Sequence, residues 1–577
     1  MVTKRARDIL FIMFDQLRFD YLSCAGHPRL ETPNLDRLAA RGVRFTNAYV
    51  QSPICGASRM SFYTGRYVQS HGAAWNNYPL KVGEMTLGDH LRARGMDAVL
   101  IGKTHMKVDD AGLDRLGISR GGIIGARLAE CGFDAEVRDD GLWAEGPDGP
   151  YDARPSPYNA FLRARGYGGR NPWHDHANSA LSDARDAQGR GDIESGWLMR
   201  NAPKPANVAA KDSETAWLTD EAIGFLDKRA RQRRAVPFLC HLSYIKPHWP
   251  YVVPAPYHAL YGPGDVVPAR RDERERRDPN PVYAAFMASR ASKSFSREEV
   301  RLAAIPAYMG LVRQCDDEIG RLLDHLEATG RFDDTIIVVT SDHGDYLGDH
   351  WMGEKDLFHE PSVKVPLIVV DPSAAADATR GTICDALVEA IDLAPTFVEL
   401  AEEGRGAPDP AAAVPGHILE GRSLVPFLRD GTAWEARRRD WRDVVISEYD
   451  YSCTPMADRL GVSVEDARLF MVFDGRFKLV HAEGGLPPML FDLQSDPDEF
   501  SDLGRDPAFA GEVARLTDRL GLWGRRLSQR TTVSDAEILA RRSGAGGRTG
   551  VLIGAYDESD VAAEALAFYQ GRVDPKG

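Results

Sequence analysis

The chain has 577 residues, 43% hydrophobic and 27% charged, a composition that supports two to four soluble domains around a large core. A net charge of −14 without a long single-sign run excludes a nucleic-acid surface, so an anionic ligand must be drawn in by local cations and a metal. The seven cysteines (Cys24, Cys55, Cys131, Cys240, Cys315, Cys384 and Cys453) include no CxxC pair, which favours reduced thiols and a cytoplasmic location.

In chain order, Asp8 to Phe14 is an apolar run ending in Asp15-Gln16. It is too short to span a membrane and lacks a small-residue cleavage site, so it reads as a strand buried on both faces of a parallel sheet. A helical segment starts at Thr32, and the run Cys55-Gly56-Ala57-Ser58-Arg59 follows, with Thr64-Gly65-Arg66 behind it. Gly56 and Ser58 suit a turn entering a helix, which sets residue 55 near free backbone N–H groups that favour an anion, and Arg59 adds charge one turn on. Cys55 is therefore the candidate nucleophile, although a lone cysteine is ordinarily a small buried hydrophobe.

A strand is expected at Ala98–Ile101, followed by Gly102-Lys103-Thr104-His105; a second at Phe238–Tyr244 is followed by Lys246-Pro247-His248-Trp249-Pro250. The Gly-, Pro-, Asn- and Asp-rich stretch 135–212 between them reads as an insertion of substrate-contacting loops. Thr335–Thr340 is another two-faced apolar strand, ending in Ser341-Asp342-His343-Gly344-Asp345, and Lys355 lies twelve residues past His343. Strand candidates at 444–449, 469–473, 477–481 and 490–493, the middle pair joined by Asp474-Gly475, predict a small antiparallel sheet, with a helix running through Trp523. The expected organisation is a catalytic α/β domain over 1–435, an antiparallel sheet-plus-helix subdomain over 436–527, and a tail over 528–577 that serves oligomerisation.

Ligands of open α/β sheets bind beyond the carboxyl ends of the strands, so two acid-ended strands can bring Asp15, Asp342 and His343 together. Carboxylates with one imidazole suit an oxygen-seeking divalent metal that tolerates nitrogen, manganese before zinc, with calcium as an alternative. A lone Lys or His on a loop is usually a solvated surface group. Placed after strands, Lys103, His105, His248 and Lys355 can instead neutralise an ester's equatorial oxygens and supply a proton to the leaving oxygen.

The run from Cys55 to Arg59 with Thr64-Gly65-Arg66 resembles the sulfatase signature, in which the cysteine is oxidised to formylglycine. Over nearly its whole length the chain resembles the alkaline phosphatase superfamily, within the type I sulfatases, closest to the branch of phosphonate monoester hydrolases and bacterial arylsulfatases. The carrying motifs are Asp15-Gln16, Cys55–Arg59, Lys246–Tyr251, Pro254–Tyr261, Ser341–His350 and Leu490–Leu493. The resemblance implies an alkaline phosphatase-like, mostly parallel sheet flanked by helices. It also implies metal ligation by Asp15, Asp342, His343 and residue 55 as formylglycine, anion contacts from Arg59, Lys103 and Lys355, and further polar contacts from Asn76 and Gln16.

The activity implied is hydrolysis of a small-molecule sulfuric ester. The hydrated aldehyde attacks sulfur with help from Asp342, His248 or Lys355 assists the departing alcohol, and His105 then deprotonates the remaining hydroxyl to expel sulfate. Asp15-Gln16 and Asp342-His343 follow the phosphonate hydrolase branch, whereas Lys103-x-His105 is the sulfatase arrangement where that branch usually has tyrosine and threonine. Sulfate ester hydrolysis is thus the first reading, and phosphonate monoester or phosphodiester hydrolysis at the same site is the alternative. A catalytically silent scaffold with unmodified Cys55 is the reading from another class. Partners implied are a formylglycine-generating maturation enzyme and further copies of the chain, a tetramer before a dimer, with no nucleic acid or membrane.

Overall fold

The structure, a computed structural model, describes residues 7–141, 156–183, 191–232, 236–403, 416–431, 440–526 and a few positions between 533 and 539. The chain divides into Met1–Arg526 and Leu527–Gly577, and the following concerns the first unit. The tail expected from 528 lies almost wholly outside the described residues.

Eight strands form the main sheet: β1 (Asp8–Asp15), β2 (Val43–Tyr49), β3 (Asp97–Gly102), β4 (Asp134–Arg138), β5 (Phe238–Pro247), β6 (Thr335–Ser341), β7 (Leu367–Val370) and β8 (Thr382–Glu389). Their spatial order is β8-β2-β7-β6-β1-β5-β3-β4, and β7 alone among them runs against the rest. This is the mostly parallel α/β sheet expected.

The continuous apolar runs are explained by two cores. Ile9, Phe11 and Met13 face one side of the sheet with Ile336 and Val338, packed by the helices α1 (Cys55–Thr64) and α4 (Leu393–Glu402). Leu10, Ile12 and Phe14 face the other with Ile337 and Val339, under α2 (Glu214–Ala230) and α3 (Glu298–Ala328). A large side chain buried this way contributes about 1.5–3 kcal/mol, so each central strand is fixed from both faces.

Strands β9 (Val445–Asp450), β10 (Arg468–Phe473), β11 (Phe477–Ala482) and β12 (Met489–Asp492) form the second, antiparallel sheet. Asp474 holds the expected β10–β11 hairpin by accepting the backbone N–H of Arg476 and Phe477. Val445, Leu469 and Met471 join the catalytic-side core, while Ile446, Val472 and Leu479 are covered by α5 (Ala510–Gly524) through Leu516 and Leu520.

The stretch 135–212 departs from the expectation of loops. Its beginning is the edge strand β4, Pro157–Ala164 is a helix with Ser156 as its cap, and Ser179–Leu181 pairs with Ile193–Ser195. Residues 142–155 and 184–190 lie outside the described residues.

Candidate active site

Register explains why distant residues meet. Phe14 lies beside Ser341 across β1 and β6, so Asp15 and Asp342 leave the sheet as neighbours. On the other side, β5 separates β1 from β3 and delivers His248, while β3 delivers Lys103. Gly102 makes that last step possible: with φ +104°, its missing Cβ would lie 2.0 Å from the Ser243 carbonyl oxygen. The nucleophile candidate arrives on α1, whose ten residues are all buried and whose first residue is Cys55. Gly56 lets the Trp75–Asn76 segment approach, since a Cβ there would sit 3.0 Å from Asn76 Oδ1, and that oxygen accepts the Gly56 N–H at 2.8 Å.

At the centre, Cys55 Sγ lies 3.0 Å from His343 Nε2, 3.3 Å from Lys355 Nζ and 3.9 Å from Asp15 Oδ1. Ligand atoms of Asp15, Cys55, Asp342 and His343 all fall within 4.8 Å of one another. Arg59 donates to Asp342 Oδ2 at 2.7 Å, Asp15 Oδ2 at 3.3 Å, the Lys103 carbonyl at 3.0 Å and Ser243 Oγ at 2.8 Å. Lys103 Nζ adds a 2.5 Å contact to Asp15 Oδ2. Two buried carboxylates are thus paired with two fixed cations, the condition under which burial of charge is tolerated.

The electrostatics follow from these contacts. Burial opposes charge on Asp15, yet Lys103, with Arg59 and His343, holds its carboxyl well below the usual range. Burial would push the Cys55 thiol up, but Lys355, with His343 and Lys103, outweighs it and draws the thiol down toward thiolate. Burial would lower His343, but Asp342 and Cys55 raise it to about 9 against the opposing charge of Lys355. His105 is pushed well below its ordinary value by burial and then by Lys103; His248 is pushed the same way by burial, with Lys355 and Lys103 adding to it against Asp15. Both are neutral bases at neutral pH.

Cys55, Asn76, Lys103, His105, His248 and Lys355 line one cavity of about 450 Å³. Asp15, Arg59, Asp342 and His343 lie behind Cys55 at its floor, with essentially no exposure. Gln16, expected to touch substrate, is not on the wall. It is fully buried behind Lys355, because its left-handed backbone (φ 67°) turns the side chain under the floor. The sequence reading also missed wall residues Asn77, Asp140, Trp173, Trp197, Ile245 and Trp249. Asp140 lies just past the end of β4, an edge strand that the sequence does not announce. Its Oδ1 accepts the backbone N–H of Thr104 and His105 at 3.0 Å each, and its Oδ2 meets Arg138 at 2.5 Å. That contact holds His105 in a left-handed conformation (φ 56°) that a non-glycine residue adopts only when its surroundings enforce it.

With this geometry in place, the similarities to known proteins are informative. The family model described as Sulfatase matches residues 7–403. The chain belongs to the sulfatase family. A second model, N-sulphoglucosamine sulphohydrolase, C-terminal, matches residues 348–524. The phosphonate monoester hydrolase SpPMH from Silicibacter pomeroyi superposes with a TM-score of 0.73 at 30% identity, over 91% of this chain and 96% of that one. The multifunctional alkaline phosphatase superfamily protein PehA of Trinickia caryophylli is 29% identical over 91% of this chain and 96% of its own length. An arylsulfatase of Clostridium perfringens is 27% identical over 86% of this chain and 90% of its own. The alkaline phosphatase-like architecture read from the motifs is therefore the architecture of this sulfatase family member.

The site also fits the metal that the family uses. Two carboxylates, one imidazole and residue 55 form a compact buried donor set. His343 Nδ1 donates to the Gly344 carbonyl at 2.8 Å, which leaves the Nε2 lone pair for the cluster. The raised basicity of His343 marks a point where the surrounding anions favour positive charge. Among the described residues no helix is long and apolar enough to cross a membrane.

Proposed function

We propose that this sulfatase family member is a metal-dependent sulfuric ester hydrolase of the arylsulfatase type, with residue 55 oxidised to formylglycine. The observation that carries the reading is the convergence of residue 55 with Asp15, Asp342, His343 and Lys355 on one buried centre at the foot of a cationic cavity. Asp15, Asp342, His343 and residue 55 would hold the cation, manganese before calcium on the oxygen-rich donor set. Bound there, it supplies Lewis acidity toward the ester's oxygens and makes the hydrated aldehyde of residue 55 a nucleophile at neutral pH.

The remaining work falls to the side chains. Arg59 pairs with Asp15 and Asp342, and Lys103 with Asp15, which holds both carboxylates in place. Lys103 and Lys355 flank residue 55 and neutralise the ester's equatorial oxygens. His248 Nδ1 donates to the Trp249 carbonyl at 3.0 Å, and with its basicity lowered by burial its Nε2 carries no proton at rest. Burial would lower the proton affinity of Lys355, but Cys55 and Glu354 raise it, so of the two groups first considered Lys355 is the one that carries a proton at rest and can donate it to the leaving oxygen. His105, neutral and held by Asp140, is the base that removes a proton from the second hydroxyl and releases sulfate.

Phosphonate monoester and phosphodiester hydrolysis at the same residues is a second reading, favoured by the likeness to SpPMH and by Gln16 and His343 beside the acids. Lys103 and His105 on the cavity wall favour sulfate as the preferred ester. Kinetics on matched aryl sulfate and phosphonate monoester substrates, with mass spectrometry of the peptide containing residue 55, test both. A preference for the phosphonate by orders of magnitude reverses the assignment, and unmodified Cys55 in active protein removes the mechanism. We further propose that a formylglycine-generating enzyme matures the chain, that it works in the cytoplasm, consistent with seven free cysteines, and that it is a homo-oligomer, a tetramer before a dimer. Sedimentation of the full chain and of one ending at Arg526 tests the contribution of the tail to assembly.

A further inference from the structure

The buried floor contains a carboxylate that the mechanism does not use. Asp345, fully buried, is satisfied by neutral donors: the Leu347 N–H at 2.9 Å on Oδ1, and on Oδ2 the Tyr251 hydroxyl together with the Gln16 side-chain N–H, the latter at 2.5 Å. A buried carboxylate without a cation is costly, and an asparagine would fill the same volume without that cost. What the carboxylate alone provides is a purely accepting surface.

That property fixes the Gln16 amide. With Nε2 turned to Asp345 and to the Tyr251 oxygen at 3.2 Å, Oε1 faces Lys355 Nζ at 3.3 Å. Reversing the amide would set oxygen against carboxylate and NH2 against ammonium, two repulsive contacts in place of two attractive ones. Lys355 Nζ in turn lies 3.3 Å from the Cys55 sulfur. The backbone contributes as well: Gln16 N–H donates to Asp342 Oδ1 at 3.1 Å and its carbonyl accepts the Tyr308 hydroxyl at 2.8 Å, so the amide can turn but the residue cannot leave.

We infer that Asp345, with Tyr251, is a positioning residue that orients the Gln16 amide and through it holds the Lys355 ammonium against residue 55. Gln16 is then a relay behind Lys355, consistent with its absence from the cavity wall. The inference rests on the role given to Lys355 in the proposed function.

The test is a double-mutant cycle on the metal-loaded, matured protein with an aryl sulfate and the matched phosphonate monoester, comparing Asp345→Asn, Lys355→Met and the double variant. The side-chain amide that Asp345→Asn introduces both donates and accepts, so it satisfies either orientation of Gln16. The change is therefore expected to lower kcat/KM about tenfold for the better ester, a loss of the size of one charge-assisted hydrogen bond. In the Lys355→Met background the same change is expected to alter kcat/KM less than about twofold, because the group being positioned is gone. An equal factor in both backgrounds, or no loss in the Lys355-containing protein, overturns the positioning role. A silent Lys355→Met instead overturns the role of Lys355 in the reaction. If Asp345→Asn does not fold, Tyr251→Phe removes one of the two donors to Oδ2 and is read by the same cycle.

Discussion

Arg59→Met is the sharpest test of how the metal-ligand cluster is held. The side chain has no exposure, so solvent screening does not dilute its loss. Its removal takes from Asp342 Oδ2 the 2.7 Å donor, leaves Asp15 Oδ2 with Lys103 alone, and strips the Lys103 carbonyl and Ser243 Oγ of a partner each. Breaking a buried ion pair by deleting one member costs about 3–5 kcal/mol, and methionine fills much of the vacated volume. Metal-free protein unfolded in urea, followed by tryptophan fluorescence, should lose that amount at an unchanged slope. The deficit should shrink when manganese is added, because the cation replaces part of the lost charge. It should shrink in acid too. Asp15 has a depressed pKa in the fold, so its pairing stabilises the protein above the ordinary carboxyl value of 3.8 and is lost as pH falls through the folded value. A loss below about 1 kcal/mol in the metal-free protein at neutral pH would show that the guanidinium is not what permits two carboxylates to be buried together.

Cys55→Ala should abolish turnover of every ester while leaving the thermal midpoint in place, since the residue occupies a reactive centre and little core; near-native rates in purified variant would end the mechanism. Asp342→Asn and His343→Ala should each lower manganese content by elemental analysis together with activity, and activity that survives exhaustive chelation would make the cluster structural. Lys103→Tyr combined with His105→Thr should shift relative kcat/KM toward phosphonate monoesters by removing a charge and a base worth about 10²–10⁴-fold in sulfate release; an unchanged ratio refutes that assignment. His90 is buried with neither ring nitrogen partnered among the described residues, and burial lowers it to about 4. The unfolded chain therefore binds a proton below pH 6.5 that the fold refuses, so His90→Leu should stabilise, with a gain that widens by about 1.4 kcal/mol per pH unit from 6.5 toward 4 in urea titrations.

The two faces of β1 and β6 made the core legible: each strand is buried on both sides, so its apolar run is unbroken and ends sharply at an acid. The acids, Cys55 at the start of its helix, and the cations after β3 and β5 could be read because each sits at an element boundary, and Arg59 because it follows Cys55 by one helical turn. Strand β4 could not, since Asp-Ala-Glu-Val-Arg lies at the sheet edge with only Arg138 buried and looks like loop. Gln16 failed for a different reason. It stands next to Asp15 in sequence, but whether a side chain one step past a strand end faces the cavity or the floor is decided by a single backbone torsion, which periodicity does not encode. Trp173 and Trp197 reach the wall from a stretch whose composition announces turns, and only tertiary placement reveals them.

The C-terminal sheet is part of the site even though none of its residues lines the cavity. Lys355 sits in a loop whose flanking residues have left-handed backbones, Glu354 at φ 67° and Asp356 at φ 106°, a conformation that must be held from outside. The holders come from the second sheet: Tyr449 of β9 donates its hydroxyl to Asp356 at 3.0 Å, and Lys478 of β11 donates to the Phe358 carbonyl at 3.1 Å and to Glu360 at 2.7 Å. Glu499, beyond β12, accepts the Glu360 N–H at 2.7 Å and pairs with Lys478. The main sheet thus fixes Asp15 and Asp342 by strand register, whereas the position of Lys355 depends on two sheets that share one hydrophobic core. A cut between them would remove the support of the Lys355 loop rather than detach an accessory module.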